Sequence, residues 1–190
     1  MDVHINKDEK TVEWNVGEKI ITIYNEHVLY AFTHGKHMLM IKERYDALKS
    51  GFSTYDKEGN LIFSFMYLGN HITFGEVDID ISNGTIIAAD YEEEKRKLVI
   101  LKETEERRSL LIYDEKGVLM AEIPSPEDYI FVSLKNNGHY SETPKDPNTG
   151  SIMVVAQGTN DKNSDSFGRN DWNFAIDFEF FYVRRKSITQ

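Results

Sequence analysis

There is no cysteine in the chain, which excludes disulfides, thiolate catalysis and cysteine-ligated zinc. A chain without thiols is compatible with a reducing or an oxidising compartment alike. Proline is scarce, at 4 residues. With 40% apolar and 12% aromatic residues, the profile is that of a globular protein rather than a disordered one. No run approaches the roughly 18 apolar residues of a membrane span. The longest apolar-looking stretch, Leu61 to Leu68, is interrupted by Ser64 and ends at Gly69-Asn70. The segment Met1 to Asp8 lacks the apolar core of a signal peptide, so the expected location is the cytoplasm. Basic residues are outnumbered, 22 against 32 acidic, for a net charge of −10. Such a surface repels nucleic-acid backbones and anionic membranes on average, favours solubility and suits a basic protein partner. No Gly-x-Ser-x-Gly elbow and no phosphate-binding Gly-x-x-x-x-Gly-Lys-Ser/Thr loop occurs, and no motif calls for a cofactor.

What is present is a hairpin written twice. Tyr55-Asp56-Lys57-Glu58-Gly59-Asn60-Leu61-Ile62-Phe63 recurs as Tyr113-Asp114-Glu115-Lys116-Gly117-Val118-Leu119-Met120-Ala121. Each copy is an apolar run, an Asp-x-x-Gly turn and a second apolar run, so repeated sheets are expected. With 190 residues there is enough chain for one well-buried core or two small ones; the expectation is a single all-β domain.

Strand signals dominate the rest. Val12 to Trp14, Lys19 to Tyr24, Val28 to Thr33 and His37 to Ile41 are β-rich runs divided by Gly and Asn, as in a meander. Lys42 to Ser50 is the first candidate for a short helical turn, and the charge runs Glu92 to Glu94 and Glu103 to Arg108 could extend hairpin tips or form one exposed turn of helix. Val77-Asp78-Ile79-Asp80-Ile81 alternates apolar and acidic residues, predicting one buried and one wet face. Asn83-Gly84 then predicts a type I′ hairpin into Thr85 to Ala89. Lys97 to Leu101, Leu110 to Tyr113, Tyr129 to Leu134 and Ile152 to Ala156 read as strands, and Trp172 to Val183 as a long aromatic strand or a bent strand pair. Lys135 to Thr149 and Gly158 to Asp171 are polar loops. Repeat-like units fall near residues 12–65, 76–123 and 128–185.

The middle unit, from the acidic alternation through Gly84 and the apolar run Thr85-Ile86-Ile87-Ala88-Ala89-Asp90 to the Asp114 hairpin, resembles a blade of NHL-type, six-bladed β-propellers. The third unit resembles it in outline and the first only at its closing hairpin. Three units are fewer than the four to eight blades of a closed ring. The resemblance therefore implies an incomplete array or a dimer that completes one; a β-sandwich or barrel with blade-like hairpins is the alternative.

Chemistry-bearing residues are sparse. His34 and His37 stand three apart without a third metal ligand. His27 and His71 read as packed structural residues. Asp161-Lys162-Asn163-Ser164-Asp165-Ser166-Phe167-Gly168 begins like a calcium loop, but Ser166 stands where Gly is needed and Trp172 where Glu is needed. Glu76, Asp78 and Asp80 place three carboxylates on one strand face, the wet face of an amphipathic strand or a site for acid/base or metal chemistry. Glu92, Glu93 and Glu94 read as a solvated charge run.

Together these features predict a non-enzymatic, acidic protein-binding module working through its loops. A concrete form is a bacterial immunity or inhibitor protein covering a basic toxin. Glu76, Asp78, Asp80, Glu92, Glu93 and Glu94 would steer association, joined by Asp161, Asn163, Asp165 and Arg169 on the second long loop. The alternatives are a metal-dependent hydrolase or lactonase of propeller type and a structural homodimer.

Overall fold

The computed structural model describes residues 2–34, 38–45, 49–136 and 149–188, with His34, Met38, Asn136 and Ile188 described by their backbone alone. The fold is all-β. Among the described residues the only helical element is a single 3₁₀ turn at Asp161–Asn163. The strands in order are β1 (Val3–Asn6), β2 (Thr11–Val16), β3 (Lys19–Tyr24), β4 (Val28–His34), β5 (Met38–Arg44), β6 (Ser50–Asp56), β7 (Leu61–Leu68), β8 (His71–Phe74) and β9 (Val77–Asp80). There follow β10 (Thr85–Glu92), β11 (Lys97–Glu103), β12 (Arg108–Tyr113), β13 (Leu119–Pro124), β14 (Tyr129–Asn136), β15 (Thr149–Gly158), β16 (Asp171–Asp177) and β17 (Tyr182–Ile188). They form four antiparallel meanders in sequence order: β1–β3, β4–β9, β10–β13 and β14–β17.

Residues 1–80 make one compact unit and residues 81–190 another. In the first unit, Val12, Trp14 and Ile21 of the three-stranded sheet pack with Leu39 and Ile41 of the six-stranded sheet. These positions alternate along their strands, as one buried face requires. The Trp14 indole donates to the carbonyl of Lys57 (2.9 Å), anchoring the first Asp-x-x-Gly turn.

In the second unit two four-stranded sheets share one core. Val99, Leu101, Leu110, Ile112 and Ile123 meet Phe131, Ile152, Val154, Phe174, Ile176 and Phe178. The aromatic segment is a bent pair: β16 and β17 joined by a turn over Phe178 to Phe181, with Phe181 at φ +54. In β11 every residue from Leu98 to Lys102 is buried, side chains on both faces of the strand included. That is why the strand is a continuous apolar run rather than an alternation. Each of these sheets is a four-stranded up-and-down meander.

The repeated turn has one geometry. In each copy the Asp backbone N–H donates to the residue four on, and the Gly N–H returns to the Asp carbonyl (3.1 Å at both Gly59 and Gly117). The Asp carboxylate caps further backbone N–H groups, of Asn60 in the first copy and of Lys116 and Val118 in the second. The structure adds a third copy, within the polar loop Gly158 to Asp171. Asp165 takes the N–H groups of Phe167 and Arg169 (2.9 Å each), and the Gly168 N–H donates to the Asp165 carbonyl (3.0 Å). Gly59, Gly117 and Gly168 stand at φ +91, +76 and +77. Nothing crowds Gly168, so Gly168→Ala costs only left-handed backbone strain, about 1 kcal/mol. Gly168→Asn should recover part of that loss in urea unfolding.

Two expectations are corrected. Asn83-Gly84 does not close a hairpin: Val77–Asp80 turns back onto β8, and Thr85–Glu92 pairs forward with β11. The competing signal is Gly75-Glu76, a two-residue turn with Gly75 at φ +58, the conformation type II′ asks of its first central residue. It fixes the register Phe74↔Val77 through His71↔Asp80. The acidic strand therefore closes the sheet before it rather than opening the one after it. The Lys42 to Ser50 segment does not begin as a helical turn, since Lys42, Glu43 and Arg44 continue β5 against β6; residues 46–48 lie outside the described residues.

Candidate functional site

The expected row of three carboxylates resolves into two on a strand and one on a turn. Asp78 and Asp80 are exposed on one face of β9, while Glu76 sits in the Gly75-Glu76 turn. The β8–β9 register brings His71 and Thr73 to the same face. His71 Nδ1 lies 2.8 Å from Asp80 Oδ1, His71 Nε2 lies 3.5 Å from Asp78 Oδ1, and the Thr73 hydroxyl donates to Asp78 Oδ1 (2.8 Å). The hydroxyl–imidazole–carboxylate order of a hydrolytic triad is present on paper, since Thr73 Oγ1 is 3.4 Å from His71 Nε2. The hydrogen bonding opposes it. The Thr73 hydroxyl donates to Asp78 rather than to the imidazole, and the hydrogen bond to Asp80, helped by the Asp78 charge, raises the His71 pKa.

His71 instead locks the hairpin. Because its folded pKa is raised, its contribution is fully present below the unfolded pKa and is lost as pH rises through the folded value. Proton NMR should place the His71 midpoint above the ordinary value of about 6.5, and Asp80→Asn should bring it down. An unshifted midpoint in the native chain would refute the clamp.

Glu92 is corrected outright. It was expected on the surface as a steering charge, yet it is 1% exposed. One oxygen, Oε2, accepts from the Ser151 N–H (2.5 Å), the Ser151 hydroxyl (2.9 Å) and the Ile152 N–H (2.9 Å). Steering needs a solvent-facing field, so Glu92 takes no part in it. Of its neighbours, Glu94 is exposed. Glu93 is half-buried, its carboxyl pKa pushed up by burial and by the adjacent charges of Glu92 and Glu94.

The loop Gly158 to Asp171 belongs to the other end of the second unit, next to the β11–β12 turn and the β13–β14 connection. Hydrogen bonds tie these segments together: Ser125 N–H to the Arg108 carbonyl (3.0 Å), Arg108 Nη1 to the Phe131 carbonyl (3.0 Å) and Thr159 N–H to the Asp128 carbonyl (2.8 Å). Asn163 pins the loop. Its Oδ1 accepts from the Tyr129 hydroxyl (3.0 Å), its Nδ2 donates to the Asp128 carbonyl (2.9 Å) and its own carbonyl accepts from the Trp172 indole (2.6 Å). Gly158 allows this approach, because a Cβ there would overlap the Asn163 side chain. Arg185 covers Trp172, its guanidinium 4.4 Å from the ring centre, and donates to Tyr129 (2.7 Å).

The oxygens of the calcium-like stretch are engaged within the loop. Asp165 gives one oxygen to the turn and the other to Arg169 (2.9 and 2.7 Å), and Asn163 Oδ1 is taken by Tyr129. The oxygens that look like calcium ligands in sequence serve the turn and the pin. Among the described residues no three His, Asp or Glu side chains are grouped where a metal ion could sit. The His34 and His37 side chains lie outside those described.

What the rigid loop presents is Phe167, 81% exposed at the tip of the third Asp-x-x-Gly turn, with Arg169 5.4 Å from its ring centre. Around it the charge is lopsided. Arg108 is matched by Glu103, Arg169 by Asp165 and Lys102 by Glu122. That leaves Glu105, Glu106, Glu127, Asp128, Asp161 and Asp171 exposed, against Arg107, Lys162 and Arg185. An open groove of about 1060 Å³ runs beside the β11–β12 turn, lined by Ser82 to Thr85, Lys102 to Arg107 and Glu122.

The site residues named from sequence thus fall in three places. Glu76, Asp78 and Asp80 lie in the first unit, Glu93 and Glu94 on the β10–β11 turn, and Asp161, Asn163, Asp165 and Arg169 on the pinned loop. Sequence reasoning missed Phe167, although the spacing Asp165-x-x-Gly168 repeats that of Asp56 and Asp114. No protein-family model matches the chain, and no curated protein matches it.

Proposed function

We propose that the chain is a non-catalytic, acidic protein-binding module, and that the loop end of its second unit engages a basic protein. The observation that carries this reading is Phe167, held in water by a hydrogen-bonded turn at an end of the unit where exposed carboxylates outnumber exposed cations. An exposed aromatic on a rigid support is the composition of a binding hot spot. The surrounding carboxylates supply long-range attraction for a partner of opposite charge. The chain's excess charge is otherwise spread evenly, with 13 acidic against 8 basic residues in 1–80 and 19 against 14 in 81–190. The local imbalance at the loop end therefore singles it out. The concrete form of the reading is an inhibitor that covers the active site of a basic toxin or nuclease, as bacterial immunity proteins do.

The test is affinity capture from the source lysate at moderate salt, with mass spectrometry of what is retained. A single basic protein near one-to-one stoichiometry is the expected result. Phe167→Ala should weaken its binding about tenfold or more through the off-rate. Glu105→Lys with Glu106→Lys should slow the on-rate and flatten its salt dependence. A partner that binds both variants as tightly as the native chain would overturn the assignment of this surface.

A further inference from the structure

A sheet edge offers a row of backbone N–H and C=O groups that a further strand can take up, and natural edges are guarded by short length, a bulge, proline or charge. Among the described residues, every edge strand but one carries such a guard. β1 and β9 are four residues long. β4, β10, β13 and β14 are each bulged, at Leu29, Ile87, Met120 and Val132. β17 presents Arg184, Arg185 and Lys186. The exception is β3. Its six residues, Lys19-Ile20-Ile21-Thr22-Ile23-Tyr24, stand in unbroken register with β2, include no proline and carry their one charge at the first position. Ile20 and Tyr24 are 64% and 65% exposed, with Thr22 exposed between them.

The backbone of this edge is in phase with those side chains. The Asn25 N–H donates to the Lys10 carbonyl (2.8 Å), one step beyond the Thr11↔Tyr24 pair. Hydrogen-bonded pairs alternate along an antiparallel ladder, so Ile23, Ile21 and Lys19 turn their N–H and C=O groups to β2. Ile20, Thr22 and Tyr24 turn theirs to the open edge. Two such edges fit each other. Antiparallel pairing about Thr22 sets Thr22 opposite Thr22 of a second copy, and each Ile20 opposite the other copy's Tyr24. Every one of these pairs exchanges both backbone bonds. Thr–Thr and aromatic–β-branched pairs are among the cross-strand partners that stabilise a sheet. The Thr22 hydroxyl keeps its bond to Glu13 (3.4 Å), because the pairing uses backbone groups. Lys19 falls opposite Asn25 of the second copy, beside the Glu26–Lys10 ion pair, so no like charges are directly opposed.

We infer that two copies of this chain associate through β3, joining their three-stranded sheets into one across a two-fold axis at Thr22. The contact is isologous, the same strand serving on both sides, so assembly closes at the dimer. An edge of six residues is far smaller than the roughly 20 to 30 residues a side of a stable interface, so the dimer is weak and concentration-dependent. The net charge of −10 on each copy opposes it at long range, and salt screens that repulsion. The contact is independent of the loop-end surface, which lies on other residues.

Sedimentation of the full chain over a range of concentrations tests this, at about 0.01 M and about 1 M salt, where the screening length falls from roughly 30 to 3 Å. The average mass should rise toward twice that of the monomer and go no further, and should do so at lower protein concentration in the higher salt. Thr22→Pro should abolish the rise. The Thr22 N–H faces the edge, so every β2–β3 bond survives while the pairing loses its central donors. Thr22→Lys and Thr22→Glu should each weaken association about tenfold or more, because the two-fold axis sets each new charge against itself. Mixing those two variants should restore it, since opposite charges then face each other. Circular dichroism of each variant establishes that the sheets are intact. A native chain that stays monomeric at every concentration, leaving the edge to a strand of another protein, would overturn the inference. So would a native mass that passes the dimer, association that survives in Thr22→Pro, or a mixture of the charged variants that fails to associate.

Discussion

Glu92→Ala is expected to destabilise the second unit by about 3 to 5 kcal/mol, because it strands three buried donors at once. The β15–β16 ladder is irregular between Thr149 and Met153. Within that interruption the N–H groups of Ser151 and Ile152 find their acceptor in the carboxylate of Glu92 rather than in a strand. A buried N–H without a partner is strongly disfavoured, so the side chain from β10 completes the backbone of β15 and joins the two sheets of the unit. Glu92→Gln keeps an oxygen but loses the charge-assisted character of the bonds, and should cost roughly 1 to 2 kcal/mol. Gly150→Ala should be as damaging as Glu92→Ala, since a Cβ there would overlap the carboxylate. In urea titrations the Ala variants should move the midpoint, and hydrogen exchange should show the loss in peptides from residues 85–188. Glu92→Ala with native-like stability would refute the bridging role.

The second large effect is expected at Glu43, 5% exposed in the first unit. Its carboxylate is held by three neutral donors, Asn25 Nδ2 (2.6 Å), Ser53 Oγ (2.6 Å) and Tyr45 Oη (2.8 Å). Glu43→Leu removes the acceptor and leaves two buried donors and a half-covered phenol unpaired, a loss of about 3 to 5 kcal/mol. Glu43→Gln should lose less, because one oxygen remains to accept. The variants carry a spectroscopic signature that a general packing defect would not produce. Burial, the hydrogen bond to Glu43 and its charge together push the Tyr45 pKa well above the ordinary range for a phenol. Glu43→Gln should therefore lower the Tyr45 midpoint in an absorbance titration even where the fold persists. If that midpoint does not move, the Glu43–Tyr45 contact is not the one described.

These two glutamates and the proposed interface divide the acidic residues by role. A sequence with 32 acidic side chains invites the reading that all of them face water. Glu43 and Glu92 are inside as acceptors of last resort for donors the sheets leave over, and Asp78 and Asp80 are outside but tied to His71. The residues free to act at long range are those of the loop end, where exposure and local imbalance coincide. Identical side chains in similar sequence surroundings thus differ in function because they differ in what the fold brings to them.

The amino-acid sequence by itself determined the all-β class, the position of most strands and the chemistry of the Asp-x-x-Gly turns. Those features are local: alternation, breakers and turn residues act within a few positions of one another. The third turn at Asp165 was equally legible by spacing, and was obscured by its likeness to the start of a calcium loop. Only the tertiary structure decided which way Val77–Asp80 pairs, because Gly75-Glu76 and Asn83-Gly84 both offer a hairpin and a strand uses one register at a time. Only it decided that Glu92 is buried, because its three donors come from residues 59 and 60 positions away, and that Glu43 is buried, because its partners come from three different strands and turns. Burial of a charge is set by donors supplied at long range, and those have no local signature.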